Sequence, residues 1–108
     1  MYTVKKRIEI SGSHCLNLDY DSKCKNLHGH NWIITVTLKS ETLDKNGMIL
    51  DFTKIKEIVN QLDHNHLNNI VPFNPTAENI AKWLCEQIPF CVAVSVQETE
   101  GNEVTYEK

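Results

Sequence analysis

The stretch CKNLHGHNWIITVTLK, Cys24 to Lys39, decides the fold. From Leu27 to Lys39 the larger apolar groups, Trp32, Ile34, Val36 and Leu38, all fall on even positions, the period-two pattern of a half-buried strand. His28 and His30 share that parity, so both imidazoles leave the face that carries the apolar side chains. Upstream, Val4, Ile8 and Ile10 alternate in the same way, and the parity runs on through Gly12 to His14. If these two strands pair, His14 joins His28 and His30 at one end of one face. Three histidines with no further protein ligand describe a catalytic zinc site, whose open position admits water or substrate. The plainer reading of H-x-H is a pair of surface or core histidines. All five histidines, however, lie between His14 and His66, which favours one site.

Outward from this strand pair the punctuation is clear. A polar stretch, Asn17 to Asn26, separates the two strands, and Asp44-Lys45-Asn46-Gly47 is turn chemistry. Asp51 caps a helix in which Phe52, Ile55, Ile58, Val59 and Leu62 share one face. A polar run, Asp63 to Asn69, and the breakers Pro72 and Pro75 follow. Thr76 then caps a second helix lined by Ala77, Ile80, Ala81, Leu84, Cys85 and Ile88 and stopped by Pro89. Val92, Val94 and Val96 alternate, Glu100-Gly101-Asn102 turns, and Val104 and Tyr106 alternate back. The predicted order is ββααββ, an α+β chain.

The 108 residues suit one domain, 1-108, with 41% hydrophobic and 23% charged residues and no repeat or linker. Fourteen acids against eleven bases give a net charge of -3, without the basic surface of a nucleic-acid binder. No apolar run approaches the ~20 residues of a membrane span, and Met1 to Arg7 lacks the apolar stretch of a signal peptide. The expected location is the cytoplasm, with no nucleic-acid or membrane partner. The four glycines are scattered, which excludes a dinucleotide fingerprint and a phosphate-cradling loop. The four cysteines form no C-x-x-C pair, so neither a disulfide framework nor a zinc ribbon is indicated.

Several residues stand outside the packing pattern. Cys24 sits in the polar loop on no apolar stripe, where it reads either as a reactive thiol activated by a nearby metal or as a fourth zinc ligand. Cys85, by contrast, reads as a small core residue. Asp63-His64 places a carboxylate beside an imidazole, a possible proton relay, and His66 reads as a solvated loop residue. Glu98 continues the parity of Val92, Val94 and Val96. It therefore presents a carboxylate where the pattern demands an apolar group and needs paired N-H donors, unless the strand ends at Gln97. Glu78 opens the second helix, where an acid suits the dipole without any ligand.

Cys24-Lys-Asn-Leu-His28-Gly-His30 resembles the C-x-x-x-H-G-H signature of the 6-pyruvoyltetrahydropterin synthase and 6-carboxytetrahydropterin synthase family. The resemblance extends in order, nearly end to end, through His14, Leu50-Asp51-Phe52, Leu62-Asp63-His64, Leu67-Asn68, Pro75-Thr76-Ala77-Glu78-Asn79 and Val96-Gln97-Glu98-Thr99. It departs at Ser11-Gly12-Ser13, where the family usually has a more apolar Phe-x-Ala-Ala. The resemblance implies the tunnelling fold: a four-stranded antiparallel sheet with two helices on one face, closing into a barrel of three subunits and a homo-hexamer with sites between subunits. An open sheet leaves two edges that such closure removes.

The resemblance further implies a pterin triphosphate substrate, 7,8-dihydroneopterin triphosphate, and a lyase activity. In that scheme His14, His28 and His30 bind Zn2+, Cys24 is the general base, and Asp63 and His64 relay protons. Glu98 anchors the pterin ring, with Thr76 and Glu78 as helpers. The short spacer between His14 and Cys24 and the short chain resemble the bacterial, carboxy-forming branch, on the route to queuosine. Alternatives are the pyruvoyl-forming branch and a non-catalytic zinc-binding module closed by Cys24.

Overall fold

A computed structural model describes residues 1–108. Two long strands, β1 (Tyr2–His14) and β2 (His28–Ser40), pair antiparallel from Tyr2 opposite Ser40 to His14 opposite His28. The remaining elements are helix α1 (Phe52–Val59), strand β3 (Asn65–His66), helix α2 (Ala77–Gln87) and the hairpin β4 (Cys91–Thr99) and β5 (Asn102–Glu107). The even-numbered face of the sheet carries Ile10, Trp32, Ile34, Val36, Val94 and Val96 into one apolar core with Ile55 and Val59 of α1 and Ile80 and Leu84 of α2. The odd-numbered face is mostly polar. No helix is long and apolar enough to cross a membrane.

The sheet has five strands in the order β3-β1-β2-β4-β5, not four, and it is mixed, because β3 runs parallel to β1 with Gly12 opposite Asn65 and Ser13 opposite His66. The cause lies in the polar run Asp63 to Asn69, read from sequence as a break. Leu67 within it is fully buried and anchors the segment against β1. The approach is close: a Cβ on Gly12 would stand 3.1 Å from Leu67 Cδ2.

Both helices start where their caps predict. Asp51 Oδ1 accepts from Thr53 N at 2.9 Å, and Thr76 Oγ1 accepts from Asn79 N at 3.1 Å. Every residue expected on the inner face of α2 is buried, from Ala77 to Ile88. In α1 the expected face holds at Ile55 and Val59, and a 3-10 turn, Asn60–Leu62, carries Leu62 into the core. Phe52 is a correction: it is 53% exposed and lies under Lys6 Nζ, 5.7 Å from its ring centre. Val92 is a second correction. A bulge in the β2–β4 pairing between Thr37 and Leu38 sets Cys91 opposite Leu38, so Cys91 takes the core position and Val92 is half-buried. Burial, with Cys85 beside it, pushes the Cys91 thiol up to about 12, an inert packing cysteine.

Candidate metal and ligand site

Antiparallel pairing brings His14 opposite His28, and parity puts His30 on the same face. The ring centres lie 4.5 Å (His14–His28), 5.2 Å (His14–His30) and 4.9 Å (His28–His30) apart. Two rings are oriented by backbone carbonyls. His14 Nδ1 donates to Pro75 O at 2.8 Å and His28 Nδ1 to Asn26 O at 2.7 Å. A carbonyl only accepts, so each Nδ1 carries the proton and each Nε2 keeps its lone pair. Such outer partners fix the tautomer that a metal needs.

Glu98 enters the same cluster. Its Oε1 lies 3.1 Å from His14 Nε2 and 3.4 Å from His30 Nε2, while neither buried nitrogen has a hydrogen-bond partner. The distances suit ion pairs, yet the geometry makes no hydrogen bond. Burial is the main cause that holds the His14 and His30 imidazoles below their ordinary range, which favours neutral rings. A carboxylate oxygen 3.1 Å from the lone pair of His14 Nε2 is repulsive unless a cation lies between them. The donor set therefore fits a metal ion, and one donor atom from each of His14, His28, His30 and Glu98 lies within 4.8 Å of the others. Three imidazoles suit zinc, and the Glu98 carboxylate lies within reach of the same position. Cys24 is not part of that group.

Cys24 nevertheless stands beside it. It sits in a 3-10 turn, Lys23–Lys25, capped by Ser22, whose Oγ accepts from Cys24 N at 3.2 Å. The half-buried thiol lines a cavity of about 480 Å3 with Lys23, His28, His30, Glu98 and Asn102. A second cavity of about 350 Å3 is walled by Leu16, Leu18 and Tyr20 and by Thr76, Glu78 and Glu98. Glu98 is common to both. It sits at a bulge in the β4–β5 pairing, between Gln97 and Thr99. The fold thus joins Cys24, the three histidines, Thr76 and Glu78 around the Glu98 carboxylate. Of the two lysines flanking Cys24, Lys23 lines the cavity, and Lys25 faces Asp21 at 3.9 Å.

Asp63 and His64 do not join them within one chain. Asp63 Oδ1 accepts from Ser11 N at 2.9 Å and His64 N donates to Ser11 O at 2.7 Å, so both are fastened to β1. Asp63 Oδ2 lies 3.1 Å from His64 Nδ1, so the pair does point together. His64 holds a left-handed backbone, φ 56°, and lines a different cavity of about 530 Å3 with Ser11, Ser13, Asn31 and His66. His30 alone is common to this cavity and the one that holds Cys24. His66, expected in solvent, is half-buried with Nδ1 3.0 Å from Ser13 Oγ, because β3 sets it opposite Ser13. Sequence reasoning missed the carbonyls of Asn26 and Pro75, which no side-chain pattern reveals, and the apolar wall of Leu16, Leu18 and Tyr20.

The family model described as 6-pyruvoyl tetrahydropterin synthase matches residues 3–108. The chain belongs to the 6-pyruvoyl tetrahydropterin synthase family. Among relatives in this family, a Pyrococcus horikoshii protein named putative 6-carboxy-5,6,7,8-tetrahydropterin synthase is 46% identical over 67 residues, 58% of this chain and 42% of that protein. The Bacillus subtilis 6-carboxy-5,6,7,8-tetrahydropterin synthase is 27% identical over 97% of this chain and 84% of its own. The Caenorhabditis elegans 6-pyruvoyl tetrahydropterin synthase structure superposes with a TM-score of 0.78 at 28% identity, over 99% of this chain and 95% of that one. The synthase-family fold therefore covers the whole site described above.

Proposed function

We propose that this chain is a zinc-dependent 6-carboxy-5,6,7,8-tetrahydropterin synthase, a lyase that converts 7,8-dihydroneopterin triphosphate and one water to 6-carboxytetrahydropterin, acetaldehyde and triphosphate. The pathway context is queuosine and other 7-deazaguanines, in the cytoplasm. The observation that carries this reading is the meeting, at Glu98, of a cavity that holds a thiol beside His28 and His30 and a cavity with apolar walls and acidic groups.

Each residue has a task set by its chemistry. His14, His28 and His30 hold the ion, with their tautomers fixed or their rings packed before it arrives. Zinc bound there supplies Lewis acidity, which lowers the cost of negative charge developing on the side-chain oxygens of the substrate. The Cys24 thiolate takes the proton from the adjacent C-H. Glu98 accepts paired N-H bonds from the amino-pyrimidinone edge of the pterin. Thr76 and Glu78 line the same ring-sized space, and Leu16 and Tyr20 exclude water from the ring. Lys23, in the cavity wall, faces the triphosphate charge.

Asp63 and His64 return a proton from a second copy of the chain, since the copy that carries the thiol keeps its own pair in another cavity. That division of the site fits a homo-hexamer, a dimer of trimers. The pyruvoyl-forming reaction is the second reading, supported by the likeness to the C. elegans protein. The test is to incubate zinc-loaded protein with 7,8-dihydroneopterin triphosphate and weigh the products by mass spectrometry. 6-Carboxytetrahydropterin with acetaldehyde is expected. A pyruvoyl product selects the second reading, and unchanged substrate overturns both.

A further inference from the structure

His30 differs from the other two histidines of the cluster. Carbonyls of Pro75 and Asn26 orient His14 and His28, whereas His30 Nε2 is buried with no partner and no hydrogen bond fixes its ring. Beyond the members of the cluster itself, the ring that packs against His30 is that of Trp32. Its centroid lies 5.3 Å from that of His30 at an interplanar angle of 89°, and 4.9 Å from that of His14 at 80°. Both are edge-to-face contacts, the arrangement that aromatic quadrupoles favour. Trp32 is fully buried, and its indole Nε1 donates to Gly12 O at 3.0 Å, so the indole cannot turn without breaking a buried bond.

Gly12 makes this setting possible. It stands opposite His30 in the β1–β2 register. A Cβ there would lie 3.4 Å from Trp32 Nε1, 3.4 Å from Asn65 O and 3.1 Å from Leu67 Cδ2. Asn65 belongs to β3 and Leu67 follows that strand directly, so one methyl group would press on the Leu67 side chain and fill the remaining space against the indole.

We propose that Trp32, anchored on the Gly12 carbonyl, is the positioning residue that orients His30 and His14 toward the metal. It restricts the orientation of the His30 ring, as a backbone carbonyl does for each of the other two, without setting its tautomer. The inference rests on the metal-site reading above, and it concerns geometry around the ion, not contact with substrate.

The experiment compares the full chain with Trp32→Phe and Gly12→Ala. Zinc affinity is measured by competition with a chromophoric chelator, the Co2+ visible spectrum is recorded, and melting of the metal-free proteins is followed in parallel. Trp32→Phe keeps a ring but loses the indole bond, and a zinc affinity lower by about 10- to 100-fold is expected, with an altered Co2+ band. Gly12→Ala should weaken zinc in the same direction. The double variant should bind no worse than the sum of the two predicts, because both changes act through one contact. A merely structural role would lower the melting temperature and leave zinc affinity and the Co2+ spectrum of the folded protein untouched. That outcome in Trp32→Phe overturns the proposal. If Trp32→Phe does not fold, the same outcome in Gly12→Ala overturns it. Should the unaltered chain itself bind no zinc, the metal-site reading fails first.

Discussion

Cys24 and Glu98 line one cavity with His28 and His30, and their separate tasks can be told apart by substitution. Cys24 is outside the group of donor atoms, so Cys24→Ala should keep its zinc and lose about 100- to 10,000-fold in turnover, the usual effect of removing a general base. Metal analysis and a product assay on one sample check this, and loss of zinc would instead favour a closed structural site. Glu98→Gln keeps the shape but sets a donor against a donor. Pterin affinity by calorimetry should fall more than tenfold, with zinc retained on three imidazoles. Unchanged affinity would pass the anchoring task to Glu78. At this scale strand parity made the direction of side chains on the strands legible, though it failed at Val92, beyond a bulge. His14, His28, His30 and Glu98 all point where a period of two puts them. Parity is silent on loops, so the carbonyls of Asn26 and Pro75 and the separate cavity of His64 depended on packing between distant segments.

Among the elements, the caps and apolar stripes marked both helices, and the turn at Gly47, φ 83°, fell where Asn-Gly chemistry put it. The missed element was β3, because two residues carry no periodicity and the signal, Leu67, is a lone apolar residue in a polar run. Leu67 is the pin of that segment. Leu67→Ala should cost about 2–5 kcal/mol in urea unfolding, the range for a fully buried leucine. It should also free the Asn65–His66 backbone to exchange its amide hydrogens faster. A loss under about 1 kcal/mol would mean that β3 is held by its hydrogen bonds to β1 and not by Leu67. The bulges at Thr37 and at Glu98 were equally hidden, since an inserted residue shifts parity without leaving a mark in composition.

For the molecule as a whole, the sheet ends in two unprotected strands. β3 covers β1 only at Gly12 and Ser13, and β5 is the opposite edge. Such edges invite pairing with another chain. On the polar face β1 exposes Lys5 and Arg7 beside one acid, Glu9, and β5 exposes Glu103 and Glu107, a partial charge complement for pairing between copies. Sedimentation should give a mass of six chains, or of three at low concentration, and a monomer at every concentration would contradict the shared site. If His14, His28 and His30 form one metal centre, elemental analysis of purified protein after zinc loading and dialysis should find one zinc per chain, with none kept by His28→Ala or His30→Ala. No zinc in the unaltered chain, or full retention in both variants, would contradict that assignment.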